Sequence, residues 1–272
     1  MRAARLWVLT AWAGVLCLLY AAFKDTPAAE IARVLSRLNL TQAALLLVVN
    51  LAFLLVVNVR WAVLLRSLGQ RVPLSDLILY RLAGFGVSYF TPGPQFGGEP
   101  LQVHLLHRRS GVPLGVAVSS VLLDRLVDLL ANFTFLFIGS FVVLMGGLLA
   151  GWQGGALRLT AFALFLLPAA HLLAISQNRL PLTWLIGRAG LHLPVLLRAQ
   201  HVVRQAEEQA AGLVRTRPLT LMGMMGLSML AWGIAVLEFW LCLRFLGVTA
   251  GAVETISALT AARLSILLPL PG

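Results

Sequence analysis

Residues 91–99 read T-P-G-P-Q-F-G-G-E and stand between two strongly apolar segments. Two prolines remove backbone donors and three glycines relax the backbone, so a helix entering this stretch must break here. Within a bilayer, non-helical backbone is tolerated only where protein buries it or where it lines a watery cavity. A carboxylate in such a break, here Glu99, is a functional-site candidate by default.

The bilayer itself follows from composition and run length. Of the 272 residues 60% are apolar and only 11% charged, with a mean hydropathy of +0.90, which excludes an ordinary soluble domain. Apolar runs at 6–23, 43–65, 112–150, 157–175 and 219–246 can each cross a hydrocarbon core that needs about 20 helical residues. The run 112–150 exceeds one crossing and predicts a steeply tilted helix with an interfacial extension. Residues 6–23 follow Arg2 and Arg5 but are long for a secretory signal and lack a good cleavage pattern, so they predict a retained first span. The expected fold is all-α: a polytopic helical membrane protein with re-entrant broken-helix hairpins and an inverted repeat, one integral domain over 1–272.

Arginine placement tests topology, because the formal net charge is +11. With a cytoplasmic N-terminus and a segment 77–106 that enters and leaves on the cytoplasmic side, Arg2, Arg5, Arg66, Arg71, Arg108 and Arg109 all face inward. So do the arginines of 176–218, the one long polar connection. Treating 77–90 as a full crossing would put Arg108 and Arg109 outside. The pattern therefore predicts a re-entrant hairpin whose tip is 91–98, in a multi-pass protein of the plasma membrane. Within 176–218, apolar residues between 194 and 218 fall near helical spacing. They predict either a helix on the cytoplasmic leaflet or a solvated linker between two bundles.

An internal similarity agrees. W-A-V-L-L-R-S-L-G at 61–69 resembles W-L-C-L-R-F-L-G at 240–247 with one deletion. Each is followed by an acid (Asp76, Glu254), an apolar run with an arginine (Arg81, Arg263) and Pro-Gly (Pro92-Gly93, Pro271-Gly272). Three crossings would separate the copies and invert one relative to the other, the arrangement of transporters with broken helices at midplane.

Charged residues inside apolar runs each cost about 2.5–3.5 kcal/mol at mid-helix on insertion scales. Asp124 and Asp128 share a helix face at i, i+4, and Arg125 approaches Asp128 at i, i+3. Arg125 is expected to answer one carboxylate, and Arg60, Arg81 or Arg263 the other. The cluster is either an interhelical packing device or, with Glu99, the lining of one polar cavity.

Other residues read as ordinary structure. His104 and His107 adjoin Arg108 and Arg109 and suit an aqueous surface better than a metal. His171 suits a hydrogen-bonded core position, and Trp7, Trp12, Trp152, Trp184 and Trp240 suit interface anchors. Cys17 and Cys242 have no disulfide or metal-ligand spacing and are expected to pack. No nucleotide loop or Ser-His-acid grouping is visible. No catalytic residue, metal, cofactor or nucleic-acid partner is expected.

The succession R-W-A-V-L-L-R-S-L-G (60–69), T-P-G-P-Q-F-G-G-E-P-L-Q (91–102), S-S-V-L-L-D-R-L-V-D (119–128) and L-P-L-P-G (268–272) resembles the flippase-like membrane domain family, also called the lysylphosphatidylglycerol synthase transmembrane region. By that resemblance Gly97, Gly98 and Glu99 match the first broken-helix motif, and Asp124, Arg125 and Asp128 match the polar cluster. Gln102 stands where the family commonly has arginine, and Asp124 where it commonly has glutamate. The second P-G-G-x-G motif begins at Pro271 and stops at Gly272, so the chain is expected to be a fragment lacking its second hairpin tip. It contains no soluble aminoacyl-transferase domain, and lysyl transfer is not implied.

The expected function is movement of an amphipathic phospho- or isoprenoid lipid between leaflets. The headgroup cavity would be lined by Gly97, Gly98, Glu99, Asp124, Arg125, Asp128, Arg81 and Arg263, with Arg125 and either Arg81 or Arg263 on the headgroup phosphate. Two alternatives are a membrane-embedded transferase for a lipid-linked sugar or isoprenoid, with Asp124 and Asp128 binding a cation, and a membrane subunit docking a cytoplasmic synthase or transferase through 176–218.

Overall fold

A computed structural model describes residues 38–89, 97–145, 179–188 and 194–267, with scattered positions between 33 and 36 and between 159 and 177. Among the described residues every regular element is a helix. In chain order these are α1 (Leu40–Ser67), α2 (Leu74–Tyr89), α3 (Glu99–Ser110), α4 (Leu114–Met145), α5 (Pro181–Arg188), α6 (Pro194–Thr216), α7 (Pro218–Phe245) and α8 (Ala252–Leu267). The expected first span 6–23, most of the hairpin tip, Cys17, His171, Trp7, Trp12, Trp152 and Pro271-Gly272 lie outside the described residues.

Among the described residues three helices, α1, α4 and α7, are long and apolar enough to cross a membrane. α4 is a single unbroken helix of 32 residues, about 48 Å at 1.5 Å per residue. It exceeds a hydrocarbon core of about 30 Å, as a tilted helix with an extension does. α1 opens on a reciprocal cap: the Gln42 amide donates to Asn39 Oδ1 at 2.8 Å and the Asn39 amide to Gln42 Oε1 at 3.0 Å. Two amides that a first turn leaves free are thereby satisfied. Leu47, Val48, Leu51 and Leu55 on its outer face are exposed, as side chains meeting lipid rather than water would be.

α2 and α3 do not cross. Their 16 and 12 residues span about 24 and 18 Å, short of the core thickness. They run antiparallel: the Tyr80 hydroxyl meets Ser110 Oγ at 3.0 Å, and further along α2 Ser88 Oγ accepts from the Gly98 amide at 3.0 Å. The chain therefore returns toward the end at which it entered, which is the re-entrant geometry. Glycine permits the contact between the two arms. A Cβ on Gly98 would collide with the Gly84 carbonyl, and one on Gly84 would collide with the Gln102 side chain. Gly98 thus serves the packing of the hairpin.

The internal similarity is a structural repeat. α1 and α7 both have 28 residues and α2 and α8 both have 16. α1 and α7 end alike, with left-handed Gly69 (φ 78°) and Gly247 (φ 83°) followed by 2.9 Å bonds from the Gln70 amide to the Leu65 carbonyl and from the Val248 amide to the Leu243 carbonyl. That pattern closes a helix by capping its free carbonyls, and the left-handed residue favours glycine. α1 and α7 are antiparallel: as α1 advances ten residues from Asn50 to Arg60, its hydrogen-bond partner on α7 retreats ten, from Glu238 to Ser228. The two copies are therefore inverted.

The main core joins one end of the bundle, where Trp61, Leu64 and Leu65 of α1 meet Leu77 and Tyr80 of α2, Leu106 of α3, Ala117 and Val121 of α4 and Met224 of α7. α6 contributes to it through Ala211 and Leu213, while Arg204 and Glu208 form an exposed pair at 2.7 Å. Buried Glu207 accepts from the Thr183 amide at 3.0 Å and from its hydroxyl, capping the start of α5. α6 is thus part of the bundle rather than a free linker. A smaller cluster, Phe135, Leu136 and Leu259, joins α4 to α8.

Two outcomes check this fold. In a chain whose native cysteines are replaced, single cysteines at Arg109 and Arg217 are expected to react with a membrane-impermeant reagent from one side, and one at Val248 from the other. Labelling of positions 109 and 217 from opposite sides would exclude the hairpin. Gly98→Ala is expected to lower the melting temperature and the yield of folded protein, whereas Gly86→Ala, which points into open space, leaves both unchanged.

Candidate functional site

Helical rise places the charged residues at a common depth. Asp124 and Ser228 each lie ten residues past the first residue of their helices, and Glu99 lies eleven before the end of α3, so each is about 15 Å from the same end of the bundle. Arg60 and Arg81 each lie seven residues from that end, a depth their long side chains extend. The site therefore lies well inside the helical bundle, away from the ends of α1, α4 and α7.

Two tiers of charge meet there. In the inner tier, buried Asp124 has both oxygens occupied: Arg60 Nε donates to Oδ1 at 2.9 Å and Arg81 Nη2 to Oδ2 at 2.8 Å. Arg60 spends a further nitrogen, Nη1, on Asp128 Oδ1 at 3.0 Å and Ser228 Oγ at 2.8 Å, so one side chain joins α1, α4 and α7. Arg81 Nε donates to Asn58 Oδ1 at 3.3 Å, and its guanidinium lies 5.1 Å from the centre of the Trp61 ring. Charged donors aimed at charged acceptors compensate the desolvation that burial imposes.

The outer tier is more open. Arg125 Nη2 reaches Glu99 Oε1 at 2.8 Å, and its Nη1 stands 3.7 Å from Asp128 Oδ2. The other oxygen of Glu99 accepts from the Gly97 amide at 2.8 Å, which ties the break to α4. Side-chain exposure separates the tiers: 2% and 6% for Arg60 and Asp124, against 21% for Arg125, 18% for Glu99 and 45% for Asp128. Three guanidinium and three carboxylate groups balance, so the network carries no formal net charge.

Of the residues expected from sequence, Gly97, Glu99, Arg81, Asp124, Arg125 and Asp128 come together, with Gly98 supporting the hairpin beside them. Arg263 does not join them. It lies 5.2 Å from the centre of the Trp232 ring, which stacks on Phe135 at 4.2 Å. Arg81 is the eighth residue of α2 and Arg263 the twelfth of α8, so the two repeats place their arginines one helical turn apart. Arg125 approaches Asp128 at i, i+3 as expected, at 3.7 Å, but its shorter contact, 2.8 Å, is with Glu99. The centre of the network is Arg60, expected from sequence as one candidate carboxylate partner but not among the cavity residues with Arg81 and Arg263. Ser228 and Asn58 carried no signal, being ordinary polar residues in apolar helices. His107 is exposed with Nδ1 2.9 Å from the Val112 carbonyl, and no group of three His, Cys, Asp or Glu residues capable of holding a metal occurs among the described residues.

Removing a partner from a buried pair costs about 3–5 kcal/mol, far more than removing one from an exposed pair. Arg60→Gln is therefore expected to depress the melting temperature in detergent markedly, and Arg125→Gln only slightly. Equal losses would contradict the two-tier arrangement.

Comparison with known proteins agrees with these features. The sequence matches the family described as the lysylphosphatidylglycerol synthase TM region over residues 5–272. It is 28% identical over 116 residues to a UPF0104 membrane protein of Methanocaldococcus jannaschii, covering 42% of this chain and 34% of that protein. It is 25% identical over 248 residues to a UPF0104 membrane protein of Methanothermobacter thermautotrophicus, covering 84% of this chain and 69% of that one. The aligned region thus spans about a third of the first relative's length. No solved structure matches. A match over nearly the whole chain, on an all-helical membrane architecture, makes this protein a member of the lysylphosphatidylglycerol synthase TM region family.

Proposed function

We propose that this protein moves, or helps to move, an amphipathic phospho- or isoprenoid lipid between the leaflets of the plasma membrane, with its N-terminus in the cytoplasm. The observation that carries this reading is an arginine, Arg125, held partly open among membrane-spanning helices on the edge of an otherwise closed charge network. An ionisable group there is costly unless it serves a substrate path or a relay. The planar, paired donors of arginine suit a phosphate. Acyl tails would remain in the bilayer, so no enclosed apolar pocket is required.

The headgroup role falls to Arg125. Arg81 is buried and committed to Asp124 and Asn58, and Arg263 stands apart on Trp232. The same geometry weighs against a transferase in which Asp124 and Asp128 bind a cation, because a guanidinium already occupies each oxygen of Asp124.

Reconstitution into liposomes with headgroup-labelled phospholipids and a leaflet-access assay tests the proposal. The unmodified protein is expected to equilibrate the label, and Arg125→Gln to slow it by about tenfold or more, the effect of losing one charged hydrogen bond. Arg204→Gln, at an exposed surface pair, should leave the rate unchanged. A full rate in Arg125→Gln would make the cluster a packing device.

A further inference from the structure

The outer tier holds an anion of the protein's own. Each Glu99 oxygen has one partner: Oε1 lies 2.8 Å from Arg125 Nη2 in an ion pair that lacks hydrogen-bond alignment, and Oε2 accepts from the Gly97 amide at 2.8 Å. One partner comes from α4 and the other from the break before α3, so the two are arranged around the carboxylate from separate parts of the chain. We propose that Arg125 and the Gly97 amide form a binding site for a phosphate oxyanion, filled at rest by the Glu99 carboxylate, which an incoming phosphate ester displaces. The site deepens the lipid-moving reading and rests on it for the source of the ester.

Three observations carry the inference. A phosphate diester presents two anionic oxygens to a guanidinium edge and a backbone amide much as a carboxylate does. The network is charge-balanced, so an added anion is tolerated best if the Glu99 carboxylate, 18% exposed, swings out of the network to water as the anion arrives. Asp124 is fixed by two buried arginines and Asp128 is held by Arg60. Glu99 alone depends on a half-open arginine and one amide at the end of a helix. Its departure frees Arg125 and the Gly97 amide at once, while the Arg81–Asp124 pair continues to hold α2 to α4.

The test is a binding titration in neutral detergent with three probes: dihexanoylphosphatidylglycerol, dihexanoylphosphatidylcholine and inorganic phosphate. Glu99→Gln removes the competing charge while keeping an amide oxygen for Gly97, and is expected to bind a phosphate probe about tenfold more tightly than the unmodified protein. The double variant Glu99→Gln with Arg125→Gln is expected to lose that gain, and monodisperse elution with an unchanged melting temperature shows that both variants are folded. Tightening for the lipids alone assigns the site to a headgroup, and tightening for inorganic phosphate as well assigns it to free phosphate too. Unchanged or weaker binding of all three probes to folded Glu99→Gln overturns the proposal. The leaflet assay separates the two readings: tighter binding without lipid movement would leave the anion site standing and remove the transport reading, while lipid movement with no tightening would do the reverse.

Discussion

A charge buried among apolar helices has little water to stabilise it, and the arrangement of this protein follows from that constraint. Arg60 answers it by reaching Asp124 and Asp128 on α4 and Ser228 on α7 from α1. Apolar helices in lipid gain little from hydrophobic attraction for one another, so polar contacts carry more of their specificity. A guanidinium with several donors in fixed directions can specify three helices together. Arg81 brings the hairpin into the same network through Asp124.

The hairpin is held by two different means. Along its arms, Gly84 and Gly98 allow the α2 and α3 backbones to touch, with Ser88 satisfying the Gly98 amide. At the break, Glu99 satisfies the Gly97 amide and crosses to Arg125. The first contact is steric and stays as long as the fold does. The second is an ion pair whose partners are about one-fifth exposed, which places the more open contact next to the break and the closed ones beneath it.

The inverted repeat gives equal frames but unequal chemistry. α1–α2 and α7–α8 match in length and in the glycine caps that end α1 and α7. Their arginines nevertheless sit one turn apart, and only Arg81 reaches an acid, while Arg263 rests on an aromatic ring. α6 adds a further asymmetry by packing Ala211 and Leu213 into the core at one end.

Much of this was legible in the sequence. Long apolar runs determine spanning helices because lipid leaves the backbone no other way to satisfy its hydrogen bonds. Arginine placement implied the re-entrant hairpin, and the Trp-to-Gly repeats implied the inverted pair. Asp124, Arg125 and Asp128 announced themselves as charges in apolar company. Which charge meets which was not legible, since helical spacing fixes neighbours along one helix and says nothing about rotation between helices. Only the packing of α1, α2 and α4 decided that Asp124 belongs to Arg60 and Arg81, that Arg125 turns to Glu99, and that Arg263 is left out. It also decided the role of Gly98, because a glycine in a break looks the same in sequence whether its open side faces a ligand or another backbone.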